Sequence, residues 1–381
     1  MTCNWPLVQA NEFIEFNPKI SLKKEEIAPK ISMEDLTPFT KNIGSYSYAP
    51  YRGGSKFING DILFSRITPC LENGKTAYVD CLNEGEVGFG STEFIVLRAI
   101  KQVSDPNFVY YLSISPQFRS LAIKSMVGSS GRQRVQLDAL ANYSFRLPPL
   151  SDQKKIANYL SSLDKKIFLN QRINDNLLQQ TKELFDYYYA RAENKIGFTE
   201  LIQVASGGTP KTTIDSYWNG EIPFFTPKDV GLPYTVLTEK KITQEGLAHC
   251  NSSLYPVNTV FITARGTVGK VSLSGVPMAM NQSCYALISK QMHPLLVYFS
   301  ALKVVHKLKN KANGAVFDAI TTRDFQVEQI SLLSPSDSCE FLKIAEPIFQ
   351  NILNNTIENQ CISKLRETVL PKLFSGEINI P

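Results

Sequence analysis

The residue types that most often carry out catalysis or hold metals are sparse in this chain. Histidine occurs only at His249, His293 and His306, and no two of these have the spacing that puts two metal ligands on one helix face. The seven cysteines contain no Cys-x-x-Cys pair, so neither a zinc site nor a disulfide framework is expected. The Gly-x-x-x-x-Gly-Lys-Ser/Thr phosphate loop and the Gly-x-Ser-x-Gly hydrolase turn are both missing, which argues against an ATPase and against the commonest hydrolases.

One tetrapeptide, Asp105-Pro106-Asn107-Phe108, approaches the Asp-Pro-Pro-Phe/Tyr loop of amino-methyltransferases that act on a flipped base. Its third residue is Asn, and no strand followed by a Gly-rich turn precedes it to bind a nucleotide-like cofactor. An internal repeat places Met292-His293-Pro294-Leu295 at the corresponding positions. We therefore interpret Pro106 as the first residue of a helix, not as part of a catalytic site.

Side chains suited to contact nucleic acid are more frequent than catalytic ones. Arg132, Gln133 and Arg134 end a Gly/Ser-rich loop that begins at Gly128. Their guanidinium and amide groups suit bidentate reading of guanine and adenine edges. Arg119 and Lys124 lie on the helix predicted before this loop.

A basic stripe is predicted on a later helix, where Lys303, Lys307 and Lys311 recur at every fourth residue and would face phosphates. Any one such residue is better explained as a solvated surface charge, so the hypothesis depends on their recurrence in both halves of the chain. The candidate DNA-binding residues are Arg52, Arg66, Lys75, Arg132, Gln133, Arg134, Thr209, Lys211, Lys228, Arg265, Lys270, Asn281, Gln282, Lys303 and Lys307.

Two long helices with matched apolar seams must position these side chains. Seam residues alternate at spacings of four and three, which is typical of a coiled coil. In the first helix they are Ile156, Leu160, Leu163, Ile167, Asn170, Asn174, Leu177, Thr181, Leu184 and Tyr188, and in the second Phe341, Ala345, Ile348, Ile352, Asn355, Asn359, Ile362, Arg366, Val369 and Leu373. Pro347 is expected to kink or restart the second helix.

Asn170 and Asn174 occupy the same seam steps as Asn355 and Asn359. An Asn at a seam position costs stability but fixes register, because the amides are satisfied when they face one another. Each Asn alone is equally well explained as a tolerated polar residue. Their recurrence in both helices favours packing of the two helices on each other.

The helical repeat extends to the rest of the chain. The matching segments are Ile31-Ser-Met-Glu-Asp35-Leu36 with Phe225-Thr-Pro-Lys-Asp229-Val230, Asp61-Ile-Leu-Phe-Ser65-Arg66 with Thr259-Val-Phe-Ile-Thr263-Ala264-Arg265, and Pro106-Asn-Phe-Val-Tyr110-Tyr111 with Pro294-Leu-Leu-Val-Tyr298-Phe299. We infer two copies of one unit, each a mixed α/β or α+β domain followed by a long helix.

Local patterns predict the elements of each copy. In the first copy we expect short strands within 56–67 and 76–97, turns at Asn59-Gly60, Asn73-Gly74 and Gly88 to Gly90, and one helix from Pro106 to about Lys124. In the second copy we expect strands near 222–226, 258–263 and 268–273, a helix from His293 to about Lys311, and a loop at Asn313-Gly314-Ala315.

Composition and length are those of a globular, multi-domain protein. With 381 residues, 43% of them apolar and 20% charged, the chain can build two or three packed domains. The net charge of +5 permits a polyanionic partner without demanding one. Residues 1–16 show no secretion signal, and the most apolar helix, 295–305, is too short to cross a bilayer. We expect a cytoplasmic protein with reduced thiols.

Several motifs resemble those of the specificity subunits of type I restriction-modification systems, and the resemblance covers nearly the whole chain. They are Leu147-Pro-Pro-Leu-Ser-Asp-Gln153-Lys-Lys-Ile156 at the entry to the first spacer helix, Gly207-Gly208-Thr209-Pro210 with Trp218-Asn219-Gly220-Glu221-Ile222-Pro223 at the start of a target-recognition domain, Ala264-Arg265-Gly266-Thr267-Val268-Gly269 with Asn281-Gln282-Ser283 in its middle, and Leu365-Arg-Glu367 with Leu370-Pro-Lys-Leu373 in the closing helix. The first recognition domain lacks a Gly-Gly-Thr-Pro entry, and no Gln matches Gln153 in the second copy.

The resemblance implies target-recognition domains at 1–147 and 197–334 and spacer helices at 148–196 and 335–381, with the two helices antiparallel. It further implies that each domain reads one half of a bipartite, asymmetric sequence in double-stranded DNA. Modification subunits would methylate adenine with S-adenosylmethionine, and restriction subunits would use ATP and Mg²⁺. No catalytic residue, cofactor or membrane contact is expected in this chain. Independently of the resemblance, the exposed halves of both long helices could drive self-association of the isolated chain.

Two other interpretations of the sequence stay open at this point. A coiled-coil assembly scaffold that does not bind DNA would use the helices only to dock partners. A self-sufficient methyltransferase or nuclease would need residues for S-adenosylmethionine or a divalent metal, and the sequence offers none that we recognise.

The length of the helices predicts the spacing of the DNA target. A helix from 156 to 188 is about 50 Å long at 1.5 Å per residue, and DNA rises about 3.4 Å per base pair. The centres of the two half-sites should therefore lie no more than about 15 base pairs apart. Footprinting on targets with lengthened gaps checks this, and strong binding at a much wider gap would contradict it.

Overall fold

The described residues of the computed structural model, 5–129, 131–311 and 319–378, form two compact units. Unit 1 contains the described residues of Met1–Ile167 and Cys361–Pro381, and unit 2 comprises those of Phe168–Gln360. The loop predicted at Asn313-Gly314-Ala315 lies outside the described residues, as does Ser130 of the Gly/Ser-rich loop.

Unit 1 is a mixed α/β domain followed by the first long helix. Its strands are β1 (Leu7–Gln9), β2 (Ile14–Phe16), β3 (Ile27–Ile31), β4 (Ser47–Pro50), β5 (Lys56–Phe57), β6 (Ile62–Ser65), β7 (Thr76–Tyr78), β8 (Gly88–Gly90), β9 (Phe94–Ala99) and β10 (Ser144–Arg146). Its helices are α1 (Ala10–Phe13), α2 (Pro106–Ile114), α3 (Pro116–Lys124) and α4 (Leu137–Ala141), and α5 (Leu150–Arg191) continues into unit 2.

Two four-stranded sheets and a layer of helices form the core of unit 1. The sheets have the orders β2-β9-β6-β7 and β4-β3-β8-β5. Along β6, Ile62 and Phe64 pack with the helices, whereas Leu63 packs with the second sheet, as the period of two in a strand requires. Both faces of the first sheet are therefore buried.

Two local predictions for unit 1 were wrong. Gly88–Gly90 is the strand β8, not a turn, because it pairs with β3 on one side and β5 on the other. The helix expected from Pro106 to Lys124 is two helices. The Ser115 hydroxyl accepts a hydrogen bond from the Phe118 N–H, and Pro116 follows at the first helical position, so α3 starts anew there.

Unit 2 repeats the organisation of unit 1. Its strands are β11 (Lys195–Gly197), β12 (Ile202–Ser206), β13 (Trp218–Phe225), β14 (Tyr234–Thr235), β15 (Lys240–Ile242), β16 (Val260–Thr263), β17 (Val271–Ser274), β18 (Ala279–Met280), β19 (Cys284–Ser289) and β20 (Gln329–Ser331). Its helices are α6 (Phe198–Leu201), α7 (Gln244–Ala248), α8 (Pro294–Lys311) and α9 (Thr322–Gln326), and α10 (Pro335–Ser375) continues into unit 1.

The predicted internal repeat is confirmed by the shared strand order, although β14 adds an edge strand in unit 2 and β5 has no counterpart among its described strands. The unit 2 sheets have the orders β12-β19-β16-β17-β14 and β15-β13-β18, and β11 pairs with β20 as β1 pairs with β10. The turns after β3 and β13 are also alike, since Asp35 accepts from the Ser32 N–H at 2.6 Å and Asp229 accepts from the Thr226 N–H at 2.8 Å. The fold class inferred from the sequence is therefore correct.

The second long helix is continuous, so the prediction that it restarts at Pro347 was wrong; a kink at Pro347 stays a prediction. Helix α10 runs through Pro347 and Pro371, and both prolines are exposed. A proline on the solvent-facing side of a long helix frees a backbone carbonyl that water can satisfy, whereas a proline on the buried side would leave it unpaired.

Within unit 2, α5 and α10 pair antiparallel through the seam asparagines. Asn170 Nδ2 donates to Asn359 Oδ1 at 2.9 Å, and Asn355 Nδ2 donates to Asn174 Oδ1 at 2.9 Å. Asn170 also donates to Glu358 Oε2 at 2.7 Å. The four amides thus face one another, and their role in fixing the register of the helices stays a prediction.

Within unit 1, a buried polar network joins the two helices to the domain. Asp164 of α5 accepts hydrogen bonds from the Arg366 guanidinium of α10 and, at 2.6 Å, from the Tyr111 hydroxyl of α2. Next to it, Lys41 Nζ donates to Asn107 Oδ1 at 2.7 Å and to Ser161 Oγ at 3.2 Å. Burial lowers the pKa of Lys41 and raises that of Tyr111.

We predict that Arg366→Ala destabilises unit 1 by about 3–5 kcal/mol, because it leaves the Asp164 carboxylate buried without its partner. The side chains of Arg366 and Asp164 are only 14% and 11% exposed. Replacing both by apolar residues, as in D164L/R366M, should cost much less. Denaturant unfolding, with hydrogen exchange to localise the loss to unit 1, measures both effects.

The matched control is Arg52→Ala, which removes an ion pair whose side chains are 75% and 54% exposed. Surface pairs contribute little to stability, so this variant should unfold like the parent chain. If Arg366→Ala were no more destabilising than Arg52→Ala, the network would not hold the helices to the domain.

Candidate nucleic-acid interface

A three-residue turn is built in the same way in both units and forms the centre of the candidate interface. In unit 1, Ser91 Oγ accepts from the Glu93 N–H at 3.1 Å; in unit 2, Asn281 Oδ1 accepts from the Ser283 N–H at 3.1 Å. We call these segments, 91–93 and 281–283, the rim turns. Each precedes the central strand of its sheet, β9 or β19.

An arginine from the neighbouring strand end is attached to each rim turn. The Arg66 N–H donates to the Glu93 carbonyl at 2.9 Å, and the Arg265 N–H donates to the Ser283 carbonyl at 3.3 Å. Arg66 directly follows β6, and its counterpart directly after β16 is Ala264, whose N–H donates to the Ser283 carbonyl at 2.8 Å. Arg265 lies one position further along the repeat. The structure therefore places both predicted arginines beside a rim turn, but at positions one residue apart.

In unit 1 the predicted loop ending at Arg134 closes on the same rim turn. The Val127 and Arg134 backbones exchange hydrogen bonds at 3.0 and 2.9 Å, and the Gln133 N–H donates to Thr68 Oγ1 at 3.0 Å. Arg132 and Arg134 are exposed, and Gln133 is partly exposed. The equivalent unit 2 segment falls mostly outside the described residues.

Arg134 is engaged by an acidic residue that the sequence analysis did not select. Its Nε and Nη2 donate to the Glu93 carboxylate at 2.6 to 3.0 Å. The hydrogen bonds from Arg134 lower the pKa of Glu93, so the carboxylate is charged at neutral pH. No local pattern in the sequence singles out Glu93, because its partner Arg134 lies 41 positions away.

An open groove of about 860 Å³ lies beside the unit 1 rim turn. Ser91 and Thr92 line it together with the exposed Arg52, and its floor is the close approach of Gly54 to Gly90. A Cβ on Gly54 would lie 1.9 Å from the Gly90 carbonyl oxygen, so no larger residue fits there. Lys75 Nζ donates to the carbonyl of Met33, another lining residue, at 2.7 Å.

In unit 2 the Gly-Gly-Thr-Pro segment packs against the rim turn. The Thr209 hydroxyl donates to the Gln282 side chain, and a Cβ on Gly207 would lie 2.1 Å from the Asn281 carbonyl oxygen. The Lys211 carbonyl accepts from Trp218 Nε1 at 3.2 Å. Thr209, Lys211 and Gln282 are therefore neighbours, and all three are exposed.

Lys228, Arg265 and Lys270 complete the exposed cations near this turn. The Thr267 hydroxyl, in the loop between Arg265 and Lys270, donates to the Pro227 carbonyl at 3.2 Å. This contact brings Lys228 beside that loop. Most of the unit 2 candidates thus converge on loops at one end of the sheet.

The lysines of the predicted stripe on α8 pair with other residues of unit 2. Lys303 pairs with Asp186 at 2.7 Å, Lys307 donates to the Gln329 carbonyl at 2.8 Å, and Lys311 pairs with Glu328. Arg119 of unit 1 similarly donates to the carbonyls of Leu71 and Glu72. A DNA-binding role for Lys303 and Lys307 stays a prediction, but these lysines already have partners within the chain.

Across the described ranges, no group of three or more His, Cys, Asp and Glu side chains could hold a metal ion. In the same ranges no helix is both long and apolar enough to span a membrane. The cysteines described, Cys70, Cys81, Cys250, Cys284, Cys339 and Cys361, are free thiols, and Cys3 lies outside the described residues.

A family profile for the "Type I restriction modification DNA specificity domain" matches residues 4–179 and again 194–366. The chain belongs to this family. Two matches in one chain agree with the internal repeat, since each begins near the start of one domain and ends within the long helix that follows it.

Curated relatives and solved structures agree with this assignment. The chain is 23% identical to the Type I restriction enzyme HindI specificity subunit of Haemophilus influenzae, over 84% of this chain and 86% of that one. It is 27% identical to the MjaIX specificity subunit of Methanocaldococcus jannaschii over 44% and 40% of the two chains. The crystal structure of a type I S subunit from M. genitalium has the same fold, with a TM-score of 0.56 at 16% identity over 97% of this chain and 96% of that one.

We predict that Arg132→Ala or Arg134→Ala relaxes selectivity in one half of a DNA target, by roughly 5- to 150-fold, the discrimination that a bidentate base contact provides. Footprinting each variant on targets with one scrambled half-site measures this.

The matched control is Lys101→Ala, an exposed cation at the opposite end of β9 from the rim turn, which should keep full selectivity. If the arginine variants behaved like this control, Arg132 and Arg134 would not contact bases.

Proposed function

We propose that this chain is the DNA-specificity subunit of a type I restriction-modification complex. In this proposal, unit 1 and unit 2 each read one half of a bipartite, asymmetric DNA target. The observation that carries the proposal is the rim turn that recurs in both units with exposed polar side chains around it, in a chain that belongs to a DNA specificity family. Two equivalent but chemically different surfaces suit a target with two unlike halves.

The candidate surfaces have the chemistry that base reading requires. Exposed Arg, Gln, Asn and Thr side chains offer donors and acceptors to base edges in the major groove, and nearby lysines offer charge to phosphates. The turns that carry them are anchored by backbone hydrogen bonds to central strands. Rigid placement favours selectivity, because an unfixed side chain adapts to any sequence.

Catalysis is assigned to partner subunits. Modification subunits would transfer a methyl group from S-adenosylmethionine to adenine, and restriction subunits would use ATP and Mg²⁺ to translocate and cleave DNA. The absence of phosphate-loop and methyltransferase motifs from this sequence supports that division. We place the assembled complex in the cytoplasm.

Methylome sequencing of cells with and without this chain tests the proposal. We expect a gapped, two-part adenine motif that is methylated only when the chain is present. A scaffold that did not read DNA would leave the methylated sequence unchanged when this chain is replaced by a relative. An undivided motif, or one that persists without the chain, would contradict the proposal.

A further inference from the structure

The Arg134 guanidinium is held in one orientation by Glu93. Arg134 Nε lies 3.0 Å from both carboxylate oxygens, and Nη2 lies 2.6 Å from Oε1. The ion pair uses one edge of the guanidinium, so Nη1 is the nitrogen it leaves to other acceptors. The Arg134 side chain is 47% exposed and that of Glu93 is 23% exposed, so DNA can approach the arginine more readily than the carboxylate.

Both partners are attached to fixed backbone. Glu93 lies in the rim turn, where its N–H donates to Ser91 Oγ and its carbonyl accepts from the Arg66 N–H. Arg134 forms antiparallel bridges with Val127 and Ile67. The pair therefore joins two anchored segments beside the unit 1 groove, and neither side chain needs to move to maintain it.

The equivalent position in unit 2 has no carboxylate. Ser283 occupies the place of Glu93, since Phe94 and Cys284, the residues that follow them, pair with the last residues of β6 and β16. Both also donate their N–H to the residue that caps the rim turn. The acid is thus not needed to build the rim turn. We therefore look for the role of Glu93 in what it contacts on the surface of unit 1, which is Arg134.

Resting on the proposed function, we propose that Glu93 is a specificity-determining residue of unit 1. In this role Glu93 orients the Arg134 guanidinium toward a base edge. It also keeps the guanidinium from pairing with DNA phosphates, which are the same in every sequence. An unpaired arginine binds phosphate wherever it meets DNA, and each such contact releases counterions. A neutral Arg–Glu pair gains little from phosphates, and its carboxylate repels them. Selectivity then comes from penalising the wrong partner as well as favouring the right one.

Glu93→Gln in the complex with modification subunits tests this role. The amide keeps the size of the side chain and the backbone bonds of the turn but releases the charge on Arg134. We expect tighter binding to random DNA and a log–log salt dependence steeper by about 0.9, the value for one added phosphate contact. Discrimination at the unit 1 half-site should fall by about fivefold or more, with the unit 2 half-site unchanged.

A double-mutant cycle shows whether Glu93 acts through Arg134. In an R134A background, E93Q should not lower the discrimination further, and it should change the salt dependence less than it does when Arg134 is present, because the added phosphate contact needs the arginine. The charge control is Glu340→Gln, which changes the net charge equally in unit 2, where Glu340 accepts only a hydrogen bond from the Tyr188 hydroxyl among the contacts described. It should leave both measurements unchanged.

The outcomes separate the inference from the proposed function. If the wild-type complex showed no discrimination at either half-site, the proposed function would fail. If the wild type discriminated but E93Q kept the same salt dependence and selectivity, Glu93 would have no such role. Loss of all DNA binding by E93Q, or an equal effect of E93Q with and without Arg134, would also overturn it.

Discussion

Two helix segments from distant parts of the chain close the core of each domain, and both candidate recognition surfaces are built on these cores. In unit 1, Phe108 of α2 packs against Phe374 of α10 with ring centroids 5.0 Å apart, and Leu160 of α5 joins the same core. In unit 2, Phe185 of α5 stacks on Phe299 of α8 at 5.0 Å and meets Phe341 of α10 at 5.4 Å. Neither helical layer is complete without both long helices, so each recognition surface is fixed to the helix pair through a packed core.

The two copies keep most of their strands but connect them to the helices with different chemistry. Unit 1 uses the Asp164–Arg366 pair and the Lys41 network, whereas the repeat places Phe349 at the position of Asp164 and Thr181 at that of Arg366 in unit 2. The copies also differ at the rim turn, where Glu93 stands opposite Ser283. Sheet order thus persists where backbone pairing defines it, and side chains diverge where they contact helices or face solvent.

The helix seams and the internal repeat were sufficient to predict the fold. Contacts between side chains far apart in the sequence could not be predicted in this way. The seam spacing and the repeated Pro106 and Pro294 helix starts were sufficient for the two-copy architecture. Gly88–Gly90 was mistaken for a turn because local glycine content does not reveal that β8 lies between two other strands. The helix break at Ser115 was missed because the residues around it continue the helical pattern, and only the hydrogen bond from the Phe118 N–H to the Ser115 hydroxyl starts a new helix there. Pro347 does not interrupt α10 because it lies on the exposed face of that helix.

The candidate interface was predicted in part, because the sequence repeat shows recurring segments but not the contacts between them. The repeat matched Arg66 with Arg265 across one inserted residue, and both donate a backbone hydrogen bond to a rim turn, although Ala264 is the structural counterpart of Arg66. The α8 lysines looked available because sequence periodicity shows a shared face but not the acceptors that Asp186 and Gln329 place beside it. Glu93 was missed because its importance comes from Arg134, 41 positions away.

If each unit reads its own half of the DNA target, a hybrid chain should change only one half of the methylated sequence. In this hybrid, residues 197–334 are replaced by the corresponding domain of a relative, α5 and α10 are kept, and the methylome is sequenced. We expect one half of the methylated motif to change while the other half and the gap between them stay the same. A change in both halves, or in the gap alone, would show that the two units do not read DNA independently.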